Sequence, residues 1–201
     1  MSGLRQRQKE QRREAIVNAA LELFEVQGFS STTVEQVAVQ AGVSTPTVFN
    51  YFGSKQDILL ALMERADQQA LSDARQQMPS FDNAVDAMCH LESVIIRQEL
   101  EALPASIWRE LLPLGFLTPR PEAASSLNSR LVEEVAALLR ELQGRGLLRE
   151  SFDVDFVADF LNDYSSVLFM RLVQDDVPDL AAHEKRIRQL TQTLFDGLAP
   201  G

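Results

Sequence analysis

Between Thr32 and Leu62 the chain reads TTVEQVAVQAGVSTPTVFNYFGSKQDILLAL, and the placement of Gly42 and Pro46 within it leaves few folds open. Val34, Val37, Ala38 and Ala41 recur at i, i+3, i+4 and i+7, which gives one apolar face on a helix of about two turns. Thr32 with Glu35, and Thr33 with Gln36, both have capping-box spacing at its start. Gly42 suits the left-handed position just past a helix end, and Ser44 is placed to cap the next helix. Pro46 falls in that helix's first turn, where its missing N–H costs nothing. Two short helices joined so tightly form a helix-turn-helix, whose second helix enters the DNA major groove while the first crosses the backbone.

The flanking sequence is helical in pattern throughout. Residues 1 to 9 lack apolar periodicity and read as a mobile basic arm. Arg12 to Gln27 then carries Ile16, Ala19, Ala20, Leu23 and Phe24 on one face and closes at Gly28. Ser54, with Asp57 at capping-box spacing, opens a connector helix over 54–77. Further helices are expected at 81–103, 104–116, from Pro119 and Pro121 to 143, at 153–174 and at 181–198, with Gly144-Arg145-Gly146 as a helix stop. The expected architecture is all-α, about nine helices, with a helix-turn-helix domain over 1–53 and a larger helical domain over 54–201.

A formal charge of -10 is unusual for a partner of nucleic acid, but its distribution is uneven. Residues 1–60 hold six Lys or Arg and six Asp or Glu, so the whole excess falls on 61–201. The first thirteen residues hold five basic side chains against one acidic. An N-terminal face that meets phosphate and an acidic body repelled by it follow from that split. No apolar run is long enough to span a bilayer and the N-terminus has no signal-peptide core, so a cytoplasmic, membrane-free protein is expected. Cys89 stands alone, which leaves no intramolecular disulfide and no cysteine-based metal cluster, and it reads as a small core residue.

The segment from Asp153 to Val173 is apolar around most of its circumference, with Val154, Phe156, Val157, Phe160, Leu161, Tyr164, Leu168, Phe169 and Leu172. Its successor offers a second stripe in His183, Ile187, Leu190, Leu194 and Phe195. Two adjacent helices with surplus apolar surface suit a four-helix homodimer seam, for which Val157, Leu161, Leu168, Leu172, Ile187, Leu190 and Leu194 are the expected residues. A monomeric core covered by neighbouring helices is the competing reading.

Enzymatic chemistry finds little support in these residue types. His90 and His183 lie far apart with no cysteine or carboxylate pair at ligand spacing, and they read as packing or surface residues rather than metal ligands. Asp155, Asp159 and Asp163 form a carboxylate stripe best read as a solvated helix face. Gly144-Arg145-Gly146 lacks the strand and spacing of a phosphate loop. No catalytic residue, metal or cofactor is assigned.

Thr33, Val37, Ala38, Ala41, Gly42, Val43, Ser44, Thr47, Tyr51, Phe52, Lys55 and Leu59, preceded by Phe24 and Gly28-Phe29, make the chain resemble the DNA-binding domain of the TetR family of transcriptional regulators. The likeness covers about a quarter of the chain. It implies that Thr45, Pro46, Thr47 and Asn50 face the major groove, that Thr33, Tyr51 and Lys55 hold phosphates, and that Ser44 belongs to the same DNA-contacting set. Phe49 stands where the family often has a tyrosine, while Val48 and Phe52 are expected in the core. The resemblance further implies a C-terminal domain that dimerises through its last two long helices and binds a small molecule. Met88, Trp108, Phe116, Phe160 and Tyr164 are the expected pocket residues, suited to an apolar or aromatic effector, and Arg109, Arg130 and Arg171 are available to an acidic one. The resulting expectation is a homodimeric repressor on a near-palindromic operator, released by its effector. The alternatives are a helical small-molecule-binding or enzymatic domain, and an effector-independent activator or architectural DNA protein.

Overall fold

The computed structural model describes residues 2–76, 78–117 and 122–197, with the side chains of 2, 3, 67, 75, 76, 113–117 and 122–128 outside that description. Nine α-helices and no strand lie among the described residues: α1 Ser2–Gln27, α2 Val34–Gln40, α3 Thr45–Tyr51, α4 Lys55–Gln76, α5 Ala84–Ala102, α6 Ala105–Leu117, α7 Glu122–Gly144, α8 Val154–Leu172 and α9 Leu180–Asp196. None of them is long and apolar enough to cross a membrane. The proline pair at 119 and 121, the end of the connector at Gln77 and the end of the last helix at Leu198 fall outside the described residues.

The basic arm is corrected by the structure, because α1 is helical from Ser2 onward. Arg, Gln, Lys and Glu are all good helix formers, so propensity carries the helix outward from its packed half even without an apolar face. At the other end, Thr32 is buried and donates its hydroxyl to the Gly28 carbonyl at 2.8 Å, so it ties the end of α1 and does not cap α2. The cap is Thr33, which accepts from the Gln36 N–H while the Gln36 side chain accepts from the Thr33 N–H at 2.8 Å. Ser44, Asn83, Asp153 and Asp179 cap α3, α5, α8 and α9, each with its side chain accepting from a backbone N–H of the first turn.

Two apolar clusters fill the molecule. The first joins Ile16, Ala20 and Phe24 of α1, Val37 and Ala38 of α2, Val48 of α3, Phe52, and Ile58, Leu59 and Leu62 of α4. It continues into Ile96, Ile107, Trp108, Leu111, Phe169 and Leu172. Packing therefore crosses the boundary expected at residue 53, since the first half of α4 is held by the helix-turn-helix while its second half, from Ala70, joins the distal cluster. That distal cluster is built by α4, α5, α7 and α8, with Phe195 of α9.

Trp108 sits where the first cluster meets the C-terminal body. It is 2% exposed, donates its indole N–H to the Glu99 carbonyl at 3.0 Å and meets Phe169 edge-on at 5.1 Å.

Candidate nucleic-acid interface

The turn between α2 and α3 is fixed by backbone geometry. Gly42 has φ +66°, its N–H donates to the Val39 carbonyl at 3.1 Å, and the Val43 N–H reaches back to the Ala38 carbonyl at 3.0 Å. These paired bonds form a Schellman closure, which requires a left-handed residue at this position. Ser44 then accepts from the Thr47 N–H at 3.3 Å, and its hydroxyl lies 2.8 Å from the Thr47 hydroxyl. Pro46 occupies the first turn of α3. The inner side of α3 is anchored by Val48 and Phe52, both buried as the sequence implies.

What α3 shows to solvent is its opposite face. Pro46, Phe49 and Asn50 are exposed, and Thr45 and Thr47 are half-buried beside them. Phe49 is 48% exposed on this same face, a placement the sequence reading did not single out. Its spacing of three residues from Pro46 was the available signal, because it places the ring on the exposed face. An exposed aromatic ring there can meet a thymine methyl. Tyr51 is half-buried and packs on the first cluster.

Lys55 is placed differently from a phosphate holder. Its ammonium donates to the carbonyls of Phe29 at 2.6 Å and Thr32 at 2.7 Å, with Ser30 at 3.5 Å, and it lies 4.3 Å from the centre of the Phe29 ring. An ammonium has three donors, so these carbonyls occupy them all. Lys55 thus ties the start of α4 to the loop between α1 and α2. Near this tie Arg65 of α4 donates to Asn18 of α1 at 2.6 Å, and Arg13 stacks 5.3 Å from the Phe52 ring. Along the outer part of α1, Arg5, Arg7, Lys9 and Arg12 are all exposed.

The expected effector residues do not converge. Met88 and Trp108 are buried in separate clusters, Phe160 is 42% exposed, Tyr164 is half-buried and Phe116 lies outside the described side chains. Helical spacing identified these as apolar, but it could not say whether they faced a cavity, a core or solvent. A cleft of about 310 Å³ lies between α5 and α9 and is lined by residues such as Cys89, Glu92, His183 and Arg188.

The expected seam residues differ in how far they are covered within the protomer. Val157, Leu161, Leu168, Leu172 and Ile187 are buried inside the protomer, and Leu190 and Leu194 are half-buried. The outward stripe of α8 is instead Phe156 and Phe160, continued by the half-buried Tyr164 and Val167. An all-round apolar helix has two stripes, and periodicity alone does not tell which one faces the core. Asp155, Asp159 and Asp163 are exposed, with Asp155 paired to Arg140 at 2.5 Å.

A tight glycine turn, a capped and exposed α3 and a helical C-terminal body define a helix-turn-helix protein. Residues 16–62 match the family model described as "Bacterial regulatory proteins, tetR family". By that match the chain carries a TetR-family helix-turn-helix segment. It is 30% identical over 144 residues to the HTH-type transcriptional regulator TcmR of Streptomyces glaucescens, a match covering 67% of this chain but only 63% of that protein. It is 29% identical over 194 residues to EthR of Mycolicibacterium smegmatis, another HTH-type transcriptional regulator, covering 93% and 86% of the two chains. Among solved structures, Thermus thermophilus FadR, a TetR-family repressor in complex with lauroyl-CoA, superposes with a TM-score of 0.69 at 26% identity, covering 90% of this chain and 93% of that one.

Proposed function

We propose that this protein is a homodimeric transcriptional regulator that reads a near-palindromic DNA site through α3 and is released from it by a small molecule. The observation that carries this reading is the outer face of α3. Exposed Pro46, Phe49 and Asn50 stand on a helix whose inner side is buried and whose start is fixed by the Gly42 turn and the Ser44 cap. A neutral N-terminal segment on an otherwise acidic chain supports the same orientation on the duplex. Thr45, Thr47 and Asn50 read base edges, Phe49 and Pro46 supply apolar surface for thymine methyls, and Thr33 with Tyr51 faces the phosphates.

Release by an effector is supported by how α4 is held. The helix is bound to the reading unit by Lys55 and Arg65 and enters the distal cluster from Ala70 onward, so a ligand that shifts its outer half carries α3 with it. Release requires the ligand to favour the conformation that does not fit DNA. FadR, the solved relative in complex with lauroyl-CoA, supports an effector of small-molecule class. The names of the relatives as transcriptional regulators favour binding over catalysis.

Footprinting on the DNA flanking the protein's own coding region tests the reading, followed by competition with unrelated duplex. A protected two-fold symmetric site is expected. Asn50→Ala is expected to weaken that site by about 1–3 kcal/mol and to relax specificity at one position in each half. Binding with no sequence preference overturns the proposal.

A further inference from the structure

We propose that the cleft between α5 and α9 binds a small organic cation, a primary amine on a compact apolar body, held at the junction of Glu92 and His183.

The lining groups differ sharply in how well they are matched. Asp86 accepts from Arg188 at 2.7 Å and from Asn83 at 2.6 Å, and these bonds hold its carboxyl below the usual carboxylate range. Glu184 accepts from Arg97 at 2.5 Å and from Ser93 at 3.0 Å. Glu92 accepts from the Ser165 hydroxyl of α8 at 2.5 Å and has no Arg or Lys partner among the described residues. Facing it at 3.6 Å is Nε2 of His183, a side chain 4% exposed whose Nε2 has no hydrogen-bond partner. Leaving a buried polar nitrogen unpaired is costly, and such an atom in a native fold needs an explanation.

The required ligand chemistry follows from these two atoms. With its hydrogen on Nδ1, His183 presents a lone pair at Nε2, so a carboxylate oxygen and a nitrogen acceptor converge on one point. A donor satisfies both, and a charged donor also answers Glu92, the lining carboxylate that no guanidinium pairs among the described residues. Ile187, Phe81 and the half-buried Cys89 thiol supply apolar wall, and the volume of about 310 Å³ suits a compact ligand. Among the described residues no group of three or more His, Cys, Asp or Glu is arranged to hold a metal ion, so an organic cation fits the site better than a bare one. Because α5 packs along α4, and α9 forms the other wall, a ligand wedged here bears on the helix that carries the DNA reader. That consequence rests on the proposed function, whereas the binding itself does not.

Calorimetric titration of the full chain, without DNA, tests the site with benzylamine, phenethylamine and cyclohexylmethylamine, each against its alcohol counterpart. The charged donor is worth at least about tenfold in affinity, so at least one amine should bind that much more tightly than its alcohol. Cys89 is the chain's only cysteine, and burial pushes its thiol up, so it alkylates slowly at neutral pH. The bound amine should slow its reaction with iodoacetamide further in the unaltered protein. Glu92→Gln should lower amine affinity about tenfold or more while leaving the alcohol unaffected. If that variant fails to fold, Cys89 protection in the parent still decides. Amines that bind no better than their alcohols overturn the proposal, as does binding that leaves Cys89 alkylation unchanged. Either outcome leaves the footprint untouched, and a missing footprint leaves this titration untouched.

Discussion

Lys55 donates its ammonium hydrogens inside the molecule, and that changes what its removal does. Hydrogen bonds from a charged donor contribute about 1.5–3 kcal/mol, and the Phe29 ring adds cation–π attraction. Lys55→Met keeps the stem and removes the donors, so it should destabilise the protein by about 1–3 kcal/mol in urea unfolding. A pure phosphate holder would leave that midpoint unchanged, which makes the measurement decisive between the two roles. Gly42 is the second residue whose chemistry is narrowly set. A Cβ there meets nothing within 4 Å, so Gly42→Ala should cost only the left-handed backbone strain, about 1–2 kcal/mol, read by the same unfolding experiment. Gly42→Asn should cost less, because asparagine tolerates that region better.

At the scale of elements, α1 is a helix of 26 residues whose inner half is core and whose outer half is charge. Arg5, Arg7, Lys9 and Arg12 are exposed along it, a helical basic rod where the sequence suggested a loose arm. Replacing Arg5 and Arg7 by Gln should flatten the slope of log K against log salt, by about 0.9 for each phosphate left without its cation, with stability unchanged. An unaltered slope would place α1 away from the duplex. The contrast with α1 shows what the sequence could carry. Caps, the Gly42 turn and the position of Pro46 are local signals, each fixed within four residues, so the helix-turn-helix was readable in detail down to its buried Val48 and Phe52. The helical start of α1 escaped notice because propensity without periodicity leaves no pattern. In the C-terminal body the decisive pairs are distant in sequence, His183 with Glu92 and Ser165 with Glu92, and no spacing rule brings them together. Apolar periodicity located α8 and α9 but left open which stripe faced inward.

For the whole molecule, that stripe is where the proposed homodimer can be tested. Phe156 and Phe160 lie one turn apart on the outward face of α8, 68% and 42% exposed, a costly arrangement for a protomer left alone in water. A second copy about a two-fold axis would bury both rings on each side, and each full Phe burial is worth about 1.5–3 kcal/mol. The double substitution Phe156→Asp with Phe160→Asp should therefore yield a monomer by light scattering at micromolar protein, with helix content by circular dichroism intact. Operator affinity should fall with it, because a lone helix-turn-helix reaches one half-site and forfeits the other half of the symmetric site. Leu161→Asp provides the control. Leu161 is 7% exposed on the inward stripe, so a carboxylate there must be buried without a partner and should unfold the body rather than split a dimer. A double variant that stays dimeric would move the seam off this face of α8 and leave the two phenylalanines to another partner.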